Sequence, residues 1–386
     1  MSRIPSPGRR IAASFCRLAL LAPLLLSPTS CGPAAEAEMQ PTAAPAGPRD
    51  RAVAPHFTER EFVAPDGARL PLRKWLPQGP VKAAILALHG FNDYGRAFEI
   101  PATTWAARGI ATYAYDQRGF GGAPDPGSWA GEGRLAVDAI AALRVLRHAY
   151  PGRPVYLLGE SMGGAVAILA ATGTMRGVAA GPQGLPRAAA DGVILSAPAV
   201  WGRATMDLLP KAALFVAVRF FPETVLTGRG LGKRISDNDA VLRQMARDPL
   251  VIKGTRVDAV YGLVDLMDSA LEAAPALDVP LLLMYGARDE VVPRRPIAEF
   301  VAHLPAAPRH QRRLAYYPAG YHLLLRDLGG GSVANDIASW IADRRAPLPS
   351  KADTDAAAPE WPPVSERGAD ASPAPATPKT AGDPRG

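Results

Sequence analysis

Short apolar segments alternate with amphipathic ones along the middle of this 386-residue chain. Most of the apolar segments end at Gly, Pro or Asp, and they span residues 82–90, 110–119, 155–160, 191–198, 280–289 and 312–320. A strand that is apolar throughout is buried on both faces, which is typical of parallel sheets covered by helices. The alternation therefore predicts an α/β fold in which a mainly parallel sheet carries helices on both faces.

The segments around these strands predict the rest of the domain. Residues 61–77 are typical of two short strands joined by a turn at Asp66 and Gly67. Apolar spacing and runs of small residues predict helices over 97–109, 133–150, 161–173, 295–303 and 332–344. Residues 199–275 interrupt the alternation with helix-like patterns and no clear strand, so we expect them to form a helical cap inserted before the strand at 280–289.

The two ends of the chain differ in composition from its body. Residues 1–30 contain four arginines, the apolar run 18–26 and then small residues, as a secretory signal peptide does. Residues 31–56 and 347–386 are rich in Ala and Pro, which predicts a disordered tether and a disordered tail. The expected folded domain is therefore residues 57–346.

Cys31 follows the small residues Thr29 and Ser30 and precedes Gly32. This arrangement resembles the lipobox of bacterial lipoproteins, in which the cysteine is lipidated, although Pro28 stands where an aliphatic residue is usual. The resemblance implies an exported protein that is anchored to a membrane through Cys31, in the outer membrane or facing the periplasm if the cell is Gram-negative. A conventional signal followed by secretion is the alternative.

The net charge of +7 does not indicate a nucleic-acid partner. Four arginines lie in residues 1–30, which contain no acidic residue, so the rest of the chain carries +3. That remainder has no long basic run and no interleaving of basic and aromatic residues, which are the usual marks of nucleic-acid binding. The sequence does not indicate an oligomeric state.

Ser161 lies between a predicted strand and a predicted helix, in the sequence Gly159-Glu160-Ser161-Met162-Gly163. This matches the G-x-S-x-G pattern of a nucleophile elbow, a tight turn that lifts the serine hydroxyl above the edge of the sheet. The two glycines leave room for the strand and the helix to approach each other closely. Ser161 is therefore the candidate nucleophile, and a strand–turn–helix that merely tolerates serine is the alternative.

A serine nucleophile needs a histidine base and an acid that orients the base. On a scaffold of this kind the acid follows the serine along the chain, and the histidine comes last. His322, in the loop after the last apolar segment, is the candidate base; His303 lies in a helix pattern and His310 precedes the last strand. Asp289 ends a predicted strand and is the candidate acid, with Glu290 as the alternative.

An oxyanion hole needs two backbone N–H groups that point at the developing negative charge. One is expected from Met162, the residue after the nucleophile. The other is expected from Phe91, which follows His89 and Gly90 at the end of the first long apolar segment. Gly90 lets the backbone turn into the site, and His89 is expected to be a structural residue of the loop.

These motifs make the chain similar to the monoacylglycerol lipase/lysophospholipase group of the α/β-hydrolase superfamily, with a serine aminopeptidase S33-type domain. The similar stretches are HGFNDYGRAF (89–98), YDQRGFGGA (115–123), GESMGG (159–164), ISDNDAVLRQMARDPLV (235–251), YGARDEVVP (285–293) and GYHLLLRD (320–327). The stretch at 235–251 lies in the expected cap. Three residues stand where the family usually has histidine: Tyr94, Phe120 and, before the nucleophile, Glu160.

The resemblance implies an α/β-hydrolase fold and the cleavage of carboxylic esters, of the monoacylglycerol or lysophospholipid type, through an acyl-enzyme on Ser161. It implies no metal and no organic cofactor. We expect the apolar run at 208–226 to line an acyl-chain pocket and to contact a membrane or micelle surface, with packing on the core and on itself as the alternative.

Two other activities remain open at this stage. One is a short-chain carboxylesterase or an aminopeptidase on the same scaffold. The other is a non-catalytic lipid-binding surface protein, which would have no need of Ser161, Asp289 and His322 together.

Overall fold

The computed structural model of the chain describes residues 53–176, 185–206, 208–227, 232–308, 310–354 and 361–362. All of them belong to one compact unit. The predicted signal peptide, Cys31 and most of the predicted tether lie outside the described residues, as does the chain after residue 362. No helix within the described ranges is long and apolar enough to cross a membrane.

Strands and helices alternate along the described part of the chain, as predicted. The strands are β1 (His56–Phe57), β2 (Glu61–Val63), β3 (Arg69–Trp75), β4 (Ala83–Leu88), β5 (Ile110–Tyr115), β6 (Val155–Glu160), β7 (Gly192–Ser196), β8 (Val225–Thr227), β9 (Gly254–Arg256), β10 (Leu281–Gly286), β11 (Arg312–Tyr317) and β12 (Asp353–Thr354). The helices are α1 (Glu99–Ala107), α2 (Glu132–Ala149), α3 (Met162–Thr172), α4 (Leu208–Phe220), α5 (Asp239–Arg247), α6 (Val257–Glu272), α7 (Arg294–His303) and α8 (Gly330–Ala342).

The main sheet has the strand order β1-β2-β3-β5-β4-β6-β7-β10-β11-β12 in the described residues. Its six central strands, from β5 to β11 in that order, are all parallel to one another. The strands β1, β2 and β3 at one edge and β12 at the other edge pair antiparallel. The predicted fold class, an α/β-hydrolase fold with a mainly parallel sheet, is confirmed.

Both faces of the sheet are buried under helices, as the side chains of β4 show. Ala84, Leu86 and Leu88 belong to an apolar cluster that also contains residues of α2, α3, α6 and α7. Ile85 and Ala87 point the other way, into a cluster with residues of α1 and α8. Full burial of a Leu or Ile side chain contributes roughly 1.5–3 kcal/mol. A strand that is apolar at every position therefore belongs in the centre of this sheet.

The predicted cap, 199–275, differs in two ways from its expected form. It contains a small antiparallel sheet of β8 and β9, two segments with the β-branched residues that favour strands. Its last helix, α6, packs against α2 and α3, and Leu266 and Ala270 are buried in the main apolar cluster. Helix α6 is thus part of the main domain, and the inserted segment is 199–256.

The folded part also extends beyond the predicted boundary at residue 346. Leu348 is buried, and β12 pairs with β11. Trp361 is buried against Tyr285, with the ring centroids 6.4 Å apart, and its indole N–H donates a 2.5 Å hydrogen bond to Thr354 Oγ1. Isolated apolar residues in a Pro- and Ala-rich segment produce no periodic signal, so composition alone predicted a tail here.

Candidate active site

Ser161 forms the turn between β6 and α3, where the two elements nearly touch. A Cβ atom at Gly159 would lie 2.2 Å from the Gly163 carbonyl oxygen, and one at Gly163 would lie 2.0 Å from the Leu88 carbonyl oxygen. No side chain fits at either distance, so the predicted elbow glycines are required by backbone packing.

The backbone of Ser161 has a φ of 53° and a ψ of −117°, a region that non-glycine residues rarely adopt. Such a conformation costs on the order of 1–3 kcal/mol and persists only where its surroundings enforce it. Two hydrogen bonds do so. The Ser161 N–H donates to the Ser196 carbonyl at 3.0 Å, and the Ser161 carbonyl accepts from the Ala199 N–H at 2.9 Å. Strand β7 and the segment that follows it thus hold the turn in place.

The structure brings the predicted base and acid together. His322 lies in the loop after β11, and its Nδ1–H donates a 2.8 Å hydrogen bond to Oδ2 of Asp289, in the loop after β10. The other carboxylate oxygen, Oδ1, accepts from the N–H groups of Val291 and Val292, at 2.8 and 3.0 Å. Both carboxylate oxygens are therefore engaged, and Asp289 holds the imidazole so that Nε2 carries the lone pair.

Glu290, the alternative acid, does not pair with His322. Its side chain is exposed and accepts a 2.7 Å hydrogen bond from the Arg234 N–H of the inserted segment. Asp289 is thus the acid that the local geometry selects.

The surroundings of His322 act on its pKa in opposite directions. Burial disfavours the charged imidazolium and lowers the pKa, and the charge of Arg326 does so as well. The charge and hydrogen bond of Asp289, together with the charge of Glu160, raise it. The raising contributions are larger, so the pKa of His322 lies above its ordinary value of 6.5.

The loop that carries Phe91 lies directly against the nucleophile. A Cβ atom at Gly90 would be 3.4 Å from Cβ of Ser161. The Phe91 ring packs edge-on against Phe120, with centroids 5.3 Å apart, and against Trp129. Within the described ranges, no acceptor receives the backbone N–H of Phe91 or of Met162. Both N–H groups are thus free to donate, and their role as oxyanion donors stays a prediction.

The imidazole of His89 forms hydrogen bonds that hold the loop of Phe91 in place. Its Nδ1–H donates to the Gly90 carbonyl at 2.8 Å, and its Nε2 accepts the Gln117 N–H at 2.9 Å. Complete burial lowers the pKa of His89, so the ring is neutral. Both ring nitrogens are occupied by the backbone, which leaves His89 no lone pair for proton transfer.

Sequence analysis missed a cluster of buried charged side chains next to the turn at Ser161. The Arg326 guanidinium donates to Asp93 Oδ2 at 2.7 Å through Nη1 and to Glu160 Oε1 at 2.6 Å through Nη2. Each of the three residues lies inside a motif that also carries a site residue. Each of them has a recognisable position in a motif, but the sequence does not indicate that the three side chains contact one another.

The inserted segment contacts the histidine loop through the start of its 235–251 motif. The Ser236 hydroxyl donates a 2.6 Å hydrogen bond to Asp327 Oδ1, and the Leu323 N–H donates to the Ile235 carbonyl at 2.9 Å. Leu323 and Asp327, both of which follow His322 in its loop, are therefore hydrogen-bonded to the insertion.

The apolar run at 208–226 has a largely exposed surface. Leu208 and Leu209 are 81% and 80% exposed. The other exposed large apolar residues of this run are Phe215, Val216, Phe220, Phe221, Val225 and Leu226. These side chains are not part of the core, whereas Leu214 of the same run packs against the main apolar cluster. The run therefore packs on the core only in part.

Comparison with known proteins agrees with this geometry. Residues 79–329, more than half of the chain, match the family described as "Serine aminopeptidase, S33". Monoglyceride lipase of Homo sapiens is 28% identical over 295 residues, which cover 74% of this chain and 90% of that protein. Monoacylglycerol lipase of Mycolicibacterium smegmatis is 24% identical over 296 residues, covering 74% and 96%.

Among solved structures, the fold is similar to that of a monoacylglycerol lipase from Paleococcus ferrophilus. The TM-score is 0.55 at 21% identity, and the match covers 70% of this chain and 98% of that one. The chain therefore belongs to the serine aminopeptidase S33 family of α/β-hydrolases, and it is a carboxylic ester hydrolase.

Proposed function

We propose that this protein is a serine hydrolase that cleaves monoacylglycerols through an acyl-enzyme on Ser161. The observation that carries the proposal is the strained turn at Ser161 together with the buried pair of His322 and Asp289. A non-catalytic lipid-binding protein would gain nothing from a strained backbone at a serine or from a buried imidazole oriented by a carboxylate.

The mechanism follows from the positions of these groups. His322 Nε2 takes the proton of the Ser161 hydroxyl as Oγ attacks the ester carbonyl carbon. The backbone N–H groups of Phe91 and Met162 stabilise the tetrahedral oxyanion. The imidazolium, held by Asp289, then protonates the leaving alcohol. A water molecule deprotonated by His322 hydrolyses the acyl-enzyme and releases the carboxylic acid.

Two observations support a lipid ester as the substrate. Three relatives that each match 74% of the chain are named monoglyceride or monoacylglycerol lipases. Helix α4, in the inserted segment, exposes large apolar side chains that suit contact with an acyl chain or a lipid surface. Lysophospholipids present the same acyl ester with a different head group, and they are the second class to test.

We further propose that the protein is exported and lipidated at Cys31. The apolar run 18–26, the small residues before Cys31 and the Ala/Pro-rich segment after it support this location. The enzyme would then act on lipids or on soluble esters near the membrane.

Hydrolysis by the purified protein across four substrate classes tests the function. The classes are monoacylglycerols, lysophospholipids, short-chain p-nitrophenyl esters and aminoacyl amides, each measured with the wild type and with Ser161→Ala. We expect the highest kcat/KM for monoacylglycerols, no amide cleavage, and an acyl adduct on Ser161 by mass spectrometry. Preference for acetate or butyrate esters would indicate a short-chain carboxylesterase, and an active Ser161→Ala protein would contradict the acyl-enzyme.

A further inference from the structure

One guanidinium connects three segments of the chain that carry the candidate catalytic groups: two loops and the end of β6. Arg326 lies four residues after the base His322. One of its acidic partners, Glu160, immediately precedes the nucleophile, and the other, Asp93, comes two residues after the oxyanion donor Phe91. The two bonds, 2.6 and 2.7 Å long, use different terminal nitrogens of the same planar group. Their geometry therefore fixes one segment relative to the other two.

The cluster is almost completely removed from solvent. The side chains of Arg326 and Asp93 are each 6% exposed, and that of Glu160 is 1% exposed. Met245 of helix α5 covers the guanidinium, with its sulfur 3.6 Å from Nη1. The Arg326 Nε and the second oxygen of Glu160 have no partner among the described residues. Among the described residues, the hydrogen bonds that the guanidinium donates to oxygen atoms are the two that link the segments.

Stability alone does not account for such a cluster. Moving charges into a protein interior carries a desolvation cost that the ion pairs only partly offset, and apolar replacements of the same volume are often as stable. What the cluster supplies is a defined spacing between three backbone segments. A Cβ atom at Gly90 would lie 3.4 Å from Ser161 Cβ and 3.9 Å from Glu160 Oε1, so the cluster directly adjoins the reacting groups.

We propose that Arg326 is a positioning residue, which sets the distances between the oxyanion donor, the nucleophile and the base by holding Asp93 and Glu160 at the same time. The inference rests on the proposed Ser161 chemistry. Arg326 contacts neither substrate nor reacting atoms, and it acts through the loops. A displacement of about 1 Å between reacting groups is enough to lower a rate by about 100-fold.

The cluster also has an electrostatic effect on the base. The charged groups that act on His322 are Asp289 from the acid loop, Glu160 from β6 and Arg326 from its own loop. Asp93, Glu160 and Arg326 together carry a net charge of −1 when all are ionised. Glu160→Gln keeps the size of the side chain and an oxygen acceptor for Arg326, but it removes one negative charge that stabilises the imidazolium.

The test compares Arg326→Met, Arg326→Lys and Glu160→Gln with a matched control, Arg313→Met. Like Arg326, Arg313 is buried, pairs with an aspartate (Asp353, 2.5 Å) and has no partner for its Nε among the described residues. It lies at the start of β11, at the other end of the strand from the histidine loop. Rates on a soluble p-nitrophenyl ester are normalised to the folded fraction measured by circular dichroism.

We expect Arg326→Met to lower kcat by about 100-fold with little change in KM, because positioning affects the reacting groups more than substrate binding. Arg326→Lys should recover part of this loss, since a lysine keeps the positive charge but lacks the planar guanidinium that bonds both carboxylates. Arg313→Met should keep the wild-type kcat per folded molecule. In Glu160→Gln, the acidic limb of the pH–kcat/KM profile should move to lower pH.

Wild-type kcat in folded Arg326→Met would overturn the inference, as would an equal loss in Arg313→Met. If Arg326→Met does not fold, Glu160→Gln decides between the outcomes. An unchanged pH–kcat/KM profile together with an unchanged kcat overturns the inference. A profile whose acidic limb moves to lower pH supports it. Ser161→Ala separates this test from the proposed function. An inactive Ser161→Ala beside a fully active Arg326→Met rejects only the positioning role, whereas an active Ser161→Ala rejects the serine mechanism itself.

Discussion

The hydroxyl of Ser236 in the inserted segment donates a 2.6 Å hydrogen bond to Asp327, five residues after His322. The second oxygen of Asp327 accepts the Tyr321 N–H at 2.7 Å, so the carboxylate closes the histidine loop on itself. Both Ser236 and Asp327 are buried. The insertion and the loop of the base are therefore joined by a polar contact that water does not compete for.

Ser236→Ala should weaken this junction. It leaves a buried carboxylate oxygen without its donor, which costs about 1–3 kcal/mol of unfolding free energy. We expect a lower urea midpoint and a lower kcat/KM, because the loop of His322 becomes less constrained. Thr103→Ala is the control: this exposed hydroxyl donates to the Glu99 carbonyl within α1, and its loss should cost less than about 0.5 kcal/mol. Equal effects of the two substitutions would contradict a special role for Ser236.

The activity should depend on the ionisation of His322. The reaction needs the neutral imidazole, and the pKa of His322 lies above 6.5, so kcat/KM should fall as the pH decreases through a midpoint above 6.5. Asp289→Asn removes a charge and a hydrogen bond that raise this pKa. The acidic limb should then move to lower pH, and kcat should fall by about 10³–10⁴-fold. A wild-type midpoint at or below 6.5 would show that the surroundings do not act as described.

The exposed surface of α4 should matter for lipids but not for small esters. The double substitution of Leu209 and Phe220 to Ser removes two large apolar side chains that are 80% and 70% exposed. We expect KM for micellar long-chain monoacylglycerols to rise several-fold while kcat/KM for p-nitrophenyl acetate stays unchanged. Leu76→Ser, an exposed site outside the insertion, is the control. An equal loss on both substrates would mean that α4 serves folding only.

The proposed lipidation depends on a single residue, Cys31. Metabolic labelling with an alkyne fatty acid should mark the wild-type protein and place it in the membrane fraction. Cys31→Ser should carry no label and should be released as soluble, active enzyme, because the catalytic domain lies far along the chain from the anchor. Label that persists in Cys31→Ser, or a soluble and unlabelled wild type, would point to conventional secretion.

The contact of Trp361 should stabilise the domain. Trp361→Ala removes a buried ring from the surface of Tyr285 and should lower the unfolding free energy by about 3 kcal/mol. Trp361→Phe keeps most of the apolar volume and loses the hydrogen bond to Thr354, for a cost of about 1 kcal/mol. Urea denaturation of the three proteins measures the difference. If Trp361→Ala were as stable as the wild type, the domain would end before this residue.

The parts of the site that sequence could predict are encoded either by neighbours in the chain or by the positions of loops at the ends of parallel strands. The turn at Ser161 is readable because its strand, its glycines and its helix lie within one short stretch. Asp289 and His322 are far apart in sequence, but each follows a strand of a parallel sheet, and the ends of such strands meet at one edge. Their 2.8 Å contact is therefore a consequence of the topology.

The parts that sequence could not predict depend on contacts between distant segments. Arg326, Glu160 and Asp93 are each charged, and a charged residue considered alone is most often a solvated one. Only the folded chain shows that Arg326 pairs with both carboxylates inside the protein. Trp361 is a similar case, because a single apolar residue has no period and its burial depends on a surface built elsewhere.

The strand order has a consequence for the behaviour of the protein in solution. The ten-stranded sheet of the described residues ends in β1 on one side and in β12 on the other, each only two residues long. A long unpaired edge invites edge-to-edge pairing between copies, and very short edge strands prevent it. Without β12, the six-residue strand β11 would become the rim of the sheet. Loss of the segment after residue 346 would then first cause self-association and aggregation of the protein, while the groups around Ser161 stayed in place.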